Sequence, residues 1–330
     1  MSLPFTRRDF IATSTLAAAG MVVGSRLVSS ASADEPTFKT TPHKALIGYP
    51  NEKTLKSWKE AGIEGMEAAG KKSWQRTPVD AAKDHLMAER LGMRIHSVMY
   101  GWAHFNSPDA GTVARDIDDV STALRVAQGY GADTVLLVPC KVTDVAVPKP
   151  WQFDIKFDEK TGTLKQVVAG DNSKYEAYIE AHNRSADASR KAIEKLIPVA
   201  QETGVVIAIE NVWNNLWVKP DIFANFIRSF NCHWVQAYYD IANHAVYAPP
   251  VQWIRTLGRL IVKVHAKDFR VNANGQGGKW VNIRDNGVDW PAIRKELEKI
   301  DYNGWMTLEG SGRLPLAEKV KRLDLILEGK

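Results

Sequence analysis

From residue 45 onward the chain alternates short apolar runs with amphipathic helical patterns, and this alternation constrains the fold more than anything else in the sequence. The apolar runs are 45–49 (ALIGY), 63–68 (IEGMEA), 93–99 (MRIHSVM), 134–139 (TVLLVP), 205–211 (VVIAIEN), 235–241 (VQAYYDI), 261–268 (IVKVHAKD) and 305–310 (WMTLEG). Continuous apolar runs of this length are expected of strands buried on both faces of a parallel sheet. Helical patterns separate them at 52–61, 79–91, 110–130, 174–203, 220–229, 250–258, 290–300 and 315–328, as in Ile193, Leu196, Ile197 and Ala200. Gly62, Gly92, Gly131 and Gly204 stand where four of the helices should stop. Strict alternation predicts a parallel sheet, and eight units predict its closure into a single-domain (β/α)8 (TIM) barrel. A doubly wound open sheet is the alternative, but no glycine-rich dinucleotide loop follows the first strand.

Two segments fall outside the repeat. Residues 141–172 are too long for a connection, and the alternation of DIKFDEKTGTLKQVV predicts an inserted hairpin after the fourth strand. At the strand-exit face it would form a lid carrying Trp151 and Phe153. The second segment is the amino terminus. Phe-Thr-Arg-Arg-Asp-Phe at 5–10, an apolar stretch over 11–28 and Ala31-Ser32-Ala33 read as an export signal, and the paired arginines resemble a twin-arginine signal. Arg26 interrupts the apolar stretch and makes it a poor membrane anchor. Cleavage would divide the chain into a 1–33 signal and a 34–330 catalytic barrel of 297 residues, and would lower the net charge from +5 to +3. The expected product is an exported, periplasmic domain that does not touch the membrane in mature form. No basic run suggests nucleic acid as a partner, and self-association into a homo-oligomer stays open. The two cysteines, Cys140 and Cys232, lie far apart and are expected as separate thiols.

In a barrel of this kind, reacting side chains come from the carboxyl ends of the strands. The last four runs supply Glu210, Asp240, His265 and Glu309 at those ends, each next to apolar residues. Three carboxylates and an imidazole suit Mn²⁺ or Mg²⁺, with Co²⁺ or Zn²⁺ as alternatives. The ligands carry −3 against +2, and about two coordination positions stay open for a substrate carbonyl and its neighbouring hydroxyl. The fifth and eighth strands are three steps apart in a circle of eight, about 135° around. Glu210 and Glu309 would therefore flank one chelated carbon, removing a proton from one side and returning it on the other. A cation stabilises the enediolate that develops.

The motifs IENVWN (209–214), YYDIANHAVY (238–247), PPVQWIRTLG (249–258), KVHAKDF (263–269), GVDWPAI (287–293) and YNGWMTLEG (302–310) resemble the xylose isomerase-like barrel superfamily. They are most similar to its sugar-phosphate isomerase/epimerase branch, which includes ketose 3-epimerases and hexulose-6-phosphate isomerases. The resemblance implies metal ligands at Glu210, Asp240, His265 and Glu309 and an acid/base pair at Glu210 and Glu309. It also implies that Asn243 contacts sugar hydroxyls. Epimerases of free ketoses often carry histidine there, whereas here the histidine comes one residue later, at His244. The branch's Gly-Glu-Gly before the last helices is replaced by Arg-Asp-Asn-Gly at 284–287, so the loop after the seventh strand should close differently.

Further substrate contacts are expected from Glu67 and His96 on the second and third strands, facing the other half of the mouth. Lys267 and Asp268 are expected to order His265 or pair with each other. Arg270 is placed to reach an anionic or hydroxylated substrate. Trp102, Trp213 and Trp217 are candidates for aromatic walls, while His104, His182 and His233 carry no functional expectation. Together these features predict a divalent-metal-dependent sugar isomerase or epimerase, and export favours an unphosphorylated sugar. A lyase or dehydratase acting on 3-keto-glycosides would share the first proton abstraction. An endonuclease-IV-like phosphodiesterase would need several histidine ligands, and only His265 sits at a ligand position.

Overall fold

The computed structural model describes residues 37–330, and the export signal expected over 1–33 lies outside them. Twelve strands follow in order: β1 (His43–Gly48), β2 (Gly65–Ala69), β3 (Arg94–Trp102), β4 (Thr134–Val138), β5 (Phe153–Phe157), β6 (Leu164–Val168), β7 (Val206–Glu210), β8 (Val235–Asp240), β9 (Ile261–Ala266), β10 (Asp268–Val271), β11 (Gly278–Val281) and β12 (Trp305–Leu308). Eight of them close into a barrel in the order β1-β12-β9-β8-β7-β4-β3-β2. Every pairing around the ring is parallel. This is the single-domain (β/α)8 barrel that the alternation predicts.

Helices return the chain between strands. They are α1 (Glu52–Glu60), α2 (Lys71–Trp74), α3 (Pro78–Arg90), α4 (Ala110–Gly129), α5 (Glu176–Thr203), α6 (Pro220–Arg228), α7 (Pro250–Leu257), α8 (Trp290–Lys299) and α9 (Leu316–Leu327). Their starts are chemical: Asn51, Thr77, Asp109 and Asp289 each accept a backbone N–H of the first turn. Gly204 closes α5 at φ +70°, a left-handed conformation that favours glycine. No described helix is long and apolar enough to cross a membrane.

The two-residue period of the strands decides which side chains reach the barrel interior. Val135, Leu137, Ile207, Ile209, Ala237 and Tyr239 pack outward in the main core against the helices. Leu136, Val138, Ala208 and Tyr238 form a separate cluster, inside the barrel. The same alternation turns Glu210, Asp240 and His265 inward. Register then aligns them, with Asp240 opposite His265 and Glu210 opposite Tyr238.

The hairpin expected within 141–172 forms from β5 and β6, which pair antiparallel. Its position corrects the expectation of a lid. Phe153 is buried edge-on against Tyr178 and Tyr247. The backbone of Leu164 donates to Asn183 of α5 at 2.8 Å, and Asn225 of α6 donates to the Glu159 carbonyl at 2.7 Å. These ties hold the hairpin on the outer helices, and Trp151 stays exposed. A second hairpin does stand at the mouth. The run expected as one strand over 261–268 breaks after Ala266, and β10 folds back on β11. Both cysteines are unpaired, Cys140 buried beside the Ser189 hydroxyl at 3.2 Å and Cys232 partly buried.

Candidate active site and metal centre

Glu210 and Asp240 are the last residues of β7 and β8, His265 lies one residue before the end of β9, and Glu309 follows β12. One ligand atom from each converges so that all four lie within 4.8 Å of one another. Glu210 Oε1 and Glu309 Oε2 each stand 3.1 Å from His265 Nδ1, and Asp240 Oδ2 is 4.0 Å away. Asp240 Oδ1 is fixed by the backbone N–H groups of Ala242 and Asn243 at 2.8 and 2.6 Å. Its other oxygen, Oδ2, is buried without a hydrogen bond, and so is Oε2 of Glu309. Buried carboxylate oxygens without a hydrogen bond are costly, and here two of them lie within 4.0 Å of the same imidazole nitrogen. The donor set and these orphaned oxygens fit a divalent cation, so the group can hold a metal ion.

The electrostatics follow from burial and charge. Burial pushes the Glu210 and Asp240 carboxyls up. Burial also opposes ionisation of Glu309, yet His265 and Lys267 beside it hold that carboxyl well below the usual range. Burial alone would depress His265, but Tyr238, Glu67 and the carboxylates around it raise its basicity.

The residues expected to line the other half of the mouth lie deeper than that. Glu67 is fully buried, and its Oε2 sits 2.7 Å from His265 Nε2. It holds the imidazole from below, which leaves Nδ1 for the carboxylate cluster. Glu67 is therefore placed to orient His265, not to touch a sugar. His96 is also fully buried; its ring stacks on Trp305 at 4.6 Å and Nε2 lies 3.1 Å from the Thr307 hydroxyl. Burial keeps it neutral, and its stacking toward the amino end of β12 removes it from the mouth. His244 points away too. Its Nε2 donates to the Val212 carbonyl at 2.8 Å and its ring packs on Trp253 and Tyr247, between the sheet and α7.

Asn243 and Lys267 remain at the mouth. Asn243 donates to Glu210 at 3.4 Å and accepts from Lys267 Nζ at 3.2 Å. Lys267 also donates to Glu309 at 2.8 Å and lies 3.8 Å from Asp240. Its positive charge offsets the excess that three carboxylates leave over a divalent cation. Asp268 does not pair with Lys267. It accepts the backbone N–H groups of Arg284 and Val288 and the Trp290 indole, at 2.8, 2.8 and 3.0 Å. This pins the 284–290 loop, and at Gly287 a Cβ would fall 1.8 Å from the Asp268 carboxylate. Arg270 reaches neither the cluster nor its pocket; its guanidinium donates to the Asn286 carbonyl at 3.0 Å and to the carbonyl of Asp285.

Two contributors have no role in the sequence reading, although Asn211 stands within the IENVWN motif. Asn211 exchanges two hydrogen bonds with the Asp240 backbone, at 2.7 and 2.8 Å, and so locks the ends of β7 and β8 together. Trp280 of β11 lies over Lys267 Nζ at 4.8 Å and against Trp213 and Phe269. Trp213 and Trp280 thus wall a cavity of about 390 Å³ that also includes Asn243 and Lys267. Trp217 is no part of it, since it is buried and stacks on Phe226 at 4.0 Å. Trp102 is exposed at the end of β3.

The xylose isomerase-like TIM barrel family matches residues 55–325. The chain belongs to that family. No curated protein matches the sequence. Among solved structures, a 3-keto-D-glucoside 4-epimerase from E. coli superposes with a TM-score of 0.63 at 13% identity, covering 86% of this chain and 98% of that one. A D-psicose 3-epimerase from Clostridium cellulolyticum H10 gives 0.60 at 14% identity, covering 87% and 94%. A xylose isomerase-like TIM barrel protein from Mycobacterium smegmatis, in complex with magnesium, gives 0.59 at 16%, covering 88% and 96%. At these identities the likeness is one of fold.

Proposed function

We propose that the protein is a divalent-metal-dependent sugar isomerase or epimerase acting by proton transfer next to a carbonyl. The observation that carries this reading is the pair Glu210 and Glu309, each 3.1 Å from the same imidazole nitrogen and three strands apart around the barrel. Glu210, Asp240, His265 and Glu309 would hold the cation, with Mn²⁺ or Mg²⁺ favoured by the oxygen-rich set and Co²⁺ or Zn²⁺ as alternatives. When bound, the cation would polarise a sugar carbonyl and acidify the adjacent C–H. Glu309, beside His265 at 3.1 Å and hydrogen-bonded by Lys267 at 2.8 Å, would take the proton as base. Glu210, three strands away around the ring, would return the proton on the opposite face. Asn243 and Lys267 would orient sugar hydroxyls over the pair. The epimerase structures of the same fold support this reading.

The experiment is solvent-deuterium uptake into free ketoses and 3-keto-glycosides by metal-loaded protein, with product mass read in parallel. Glu210→Gln and Glu309→Gln should each lower exchange by at least 10²-fold, in the range of acid/base contributions. Unchanged exchange in both would refute the two-carboxylate mechanism. Product of unchanged mass marks an epimerase or isomerase, and a released aglycone marks the lyase that shares the first step.

We also propose export of the folded protein through the twin arginines at Arg7 and Arg8. Replacing both by lysine should retain the protein in the cytoplasm on fractionation; unaltered periplasmic recovery would reject that route.

A further inference from the structure

Adjoining the first cavity, and sharing Trp280 with it, lies a second, larger and more open hollow of about 750 Å³. Four cations line it: Arg270, Lys279, Arg284 and Arg313. Arg270 is committed to two backbone carbonyls. Among the described residues, no hydrogen bond or ion pair is made by the side chains of Lys279, Arg284 or Arg313. The one carboxylate on the wall, Asp285, is already taken by Arg322 at 2.6 Å and by the Asn282 amide at 3.0 Å. The cavity therefore presents uncompensated positive charge together with neutral hydrogen-bonding groups such as Asn286 and Ser311.

The basic cavity adjoins the site described above. Trp280, Val281 and Ser311 line both cavities, and the smaller one contains Lys267 and Asn243. A sugar stacked on Trp280 would thus have one end beside the carboxylates and the other among the arginines. Guanidinium groups suit carboxylates and phosphates, whose oxygens they can engage pairwise. Their gathering around one shallow hollow raises the local potential for an anion.

We propose that the hollow lined by Lys279, Arg284 and Arg313 is a subsite for an anionic substituent, a carboxylate or a phosphate, on the sugar turned over at the Glu210–Glu309 pair. This rests on the function proposed above and names the class of substrate: an acidic sugar. A polynucleotide is disfavoured because the cations gather around one shallow hollow instead of following a backbone-length stripe.

The test uses the full chain loaded with Mn²⁺ and three probes of matched skeleton, D-fructose, D-fructuronate and D-fructose 6-phosphate, in titration calorimetry. At least one anionic probe should bind ten times more tightly than D-fructose, and the advantage should shrink at high salt. Preference for fructuronate assigns the carboxylate, and preference for the phosphate ester assigns the phosphate. In an Arg284→Gln/Arg313→Gln variant the advantage should fall below twofold while D-fructose affinity is unchanged. Arg284→Lys/Arg313→Lys should retain part of it, and thermal melts of both variants check folding. An advantage below twofold in the wild type, survival of the advantage in the glutamine variant, or absence of anion binding would overturn the subsite. Tighter binding of a 20-mer duplex than of either anionic sugar would also overturn it, in favour of nucleic acid. The two readings fail separately. Deuterium exchange on neutral ketose without anion preference leaves the proposed function standing. Anion preference without exchange leaves the subsite and removes the chemistry.

Discussion

Glu67 shows how much one buried side chain can govern at a distance from solvent. It lies below the mouth, yet its 2.7 Å contact with His265 Nε2 decides which imidazole nitrogen faces the carboxylates. A carboxylate in this position fixes the ring and raises its basicity as a ligand. We predict that Glu67→Gln, nearly isosteric, leaves the fold intact but weakens Mn²⁺ binding by about 10–100-fold, the range for such partners. Competition with a chelating dye would measure this; unchanged affinity would mean that His265 is oriented by its neighbours alone. Asn211 acts in the same indirect way on Asp240, through backbone hydrogen bonds at 2.7 and 2.8 Å.

At the scale of elements, the β10–β11 hairpin does at the mouth what the β5–β6 hairpin does not. It carries Trp280 across Lys267 and contributes Trp280 and Val281 to both cavities. We predict that Trp280→Ala leaves metal stoichiometry unchanged and raises KM severalfold for whichever sugar exchanges deuterium. The removed contacts with Lys267 and the sugar ring contribute on the order of 1 kcal/mol each. An unaltered KM would remove Trp280 from the sugar's path. The limits of sequence reading also lie at this scale. Period-two burial and capped helices made the barrel legible, because each strand and helix announces its own periodicity. Glu210, Asp240, His265 and Glu309 were legible because strand ends in a closed barrel meet at one rim. Depth along a strand was not: Glu67 and His96 sit on strands that point inward, but whether a side chain ends at the mouth or below it depends on the stagger of neighbouring strands. His244 misled because one step along the 241–247 turn swings a side chain from the mouth to the helix side. The basic cavity was invisible because its cations are spread over positions 270–313 and never form a run.

For the molecule as a whole, buried neutral histidines are one contribution to how folding depends on acidity. Burial lowers both His182 and His244 to about 4, while an unfolded histidine titrates near 6.5. Both shifts are downward, so the unfolded chain binds more protons than the folded one between about pH 6.5 and 4. Stability is then full above the upper value and falls as pH drops through the window, at up to about 1.4 kcal/mol per pH unit for each histidine. Glu210 and Asp240, raised by burial, act with the opposite sign, so the total slope mixes the two. A difference between variants separates them. His182 accepts the Trp217 backbone N–H at 3.3 Å through Nε2, a role that a glutamine carbonyl can take without titrating. We predict that His182→Gln makes urea-unfolding free energy less dependent on pH between 6.5 and 4 by about one proton. Parallel wild-type and variant curves across that window would show that His182 is protonated equally in both states and takes no part in acid unfolding.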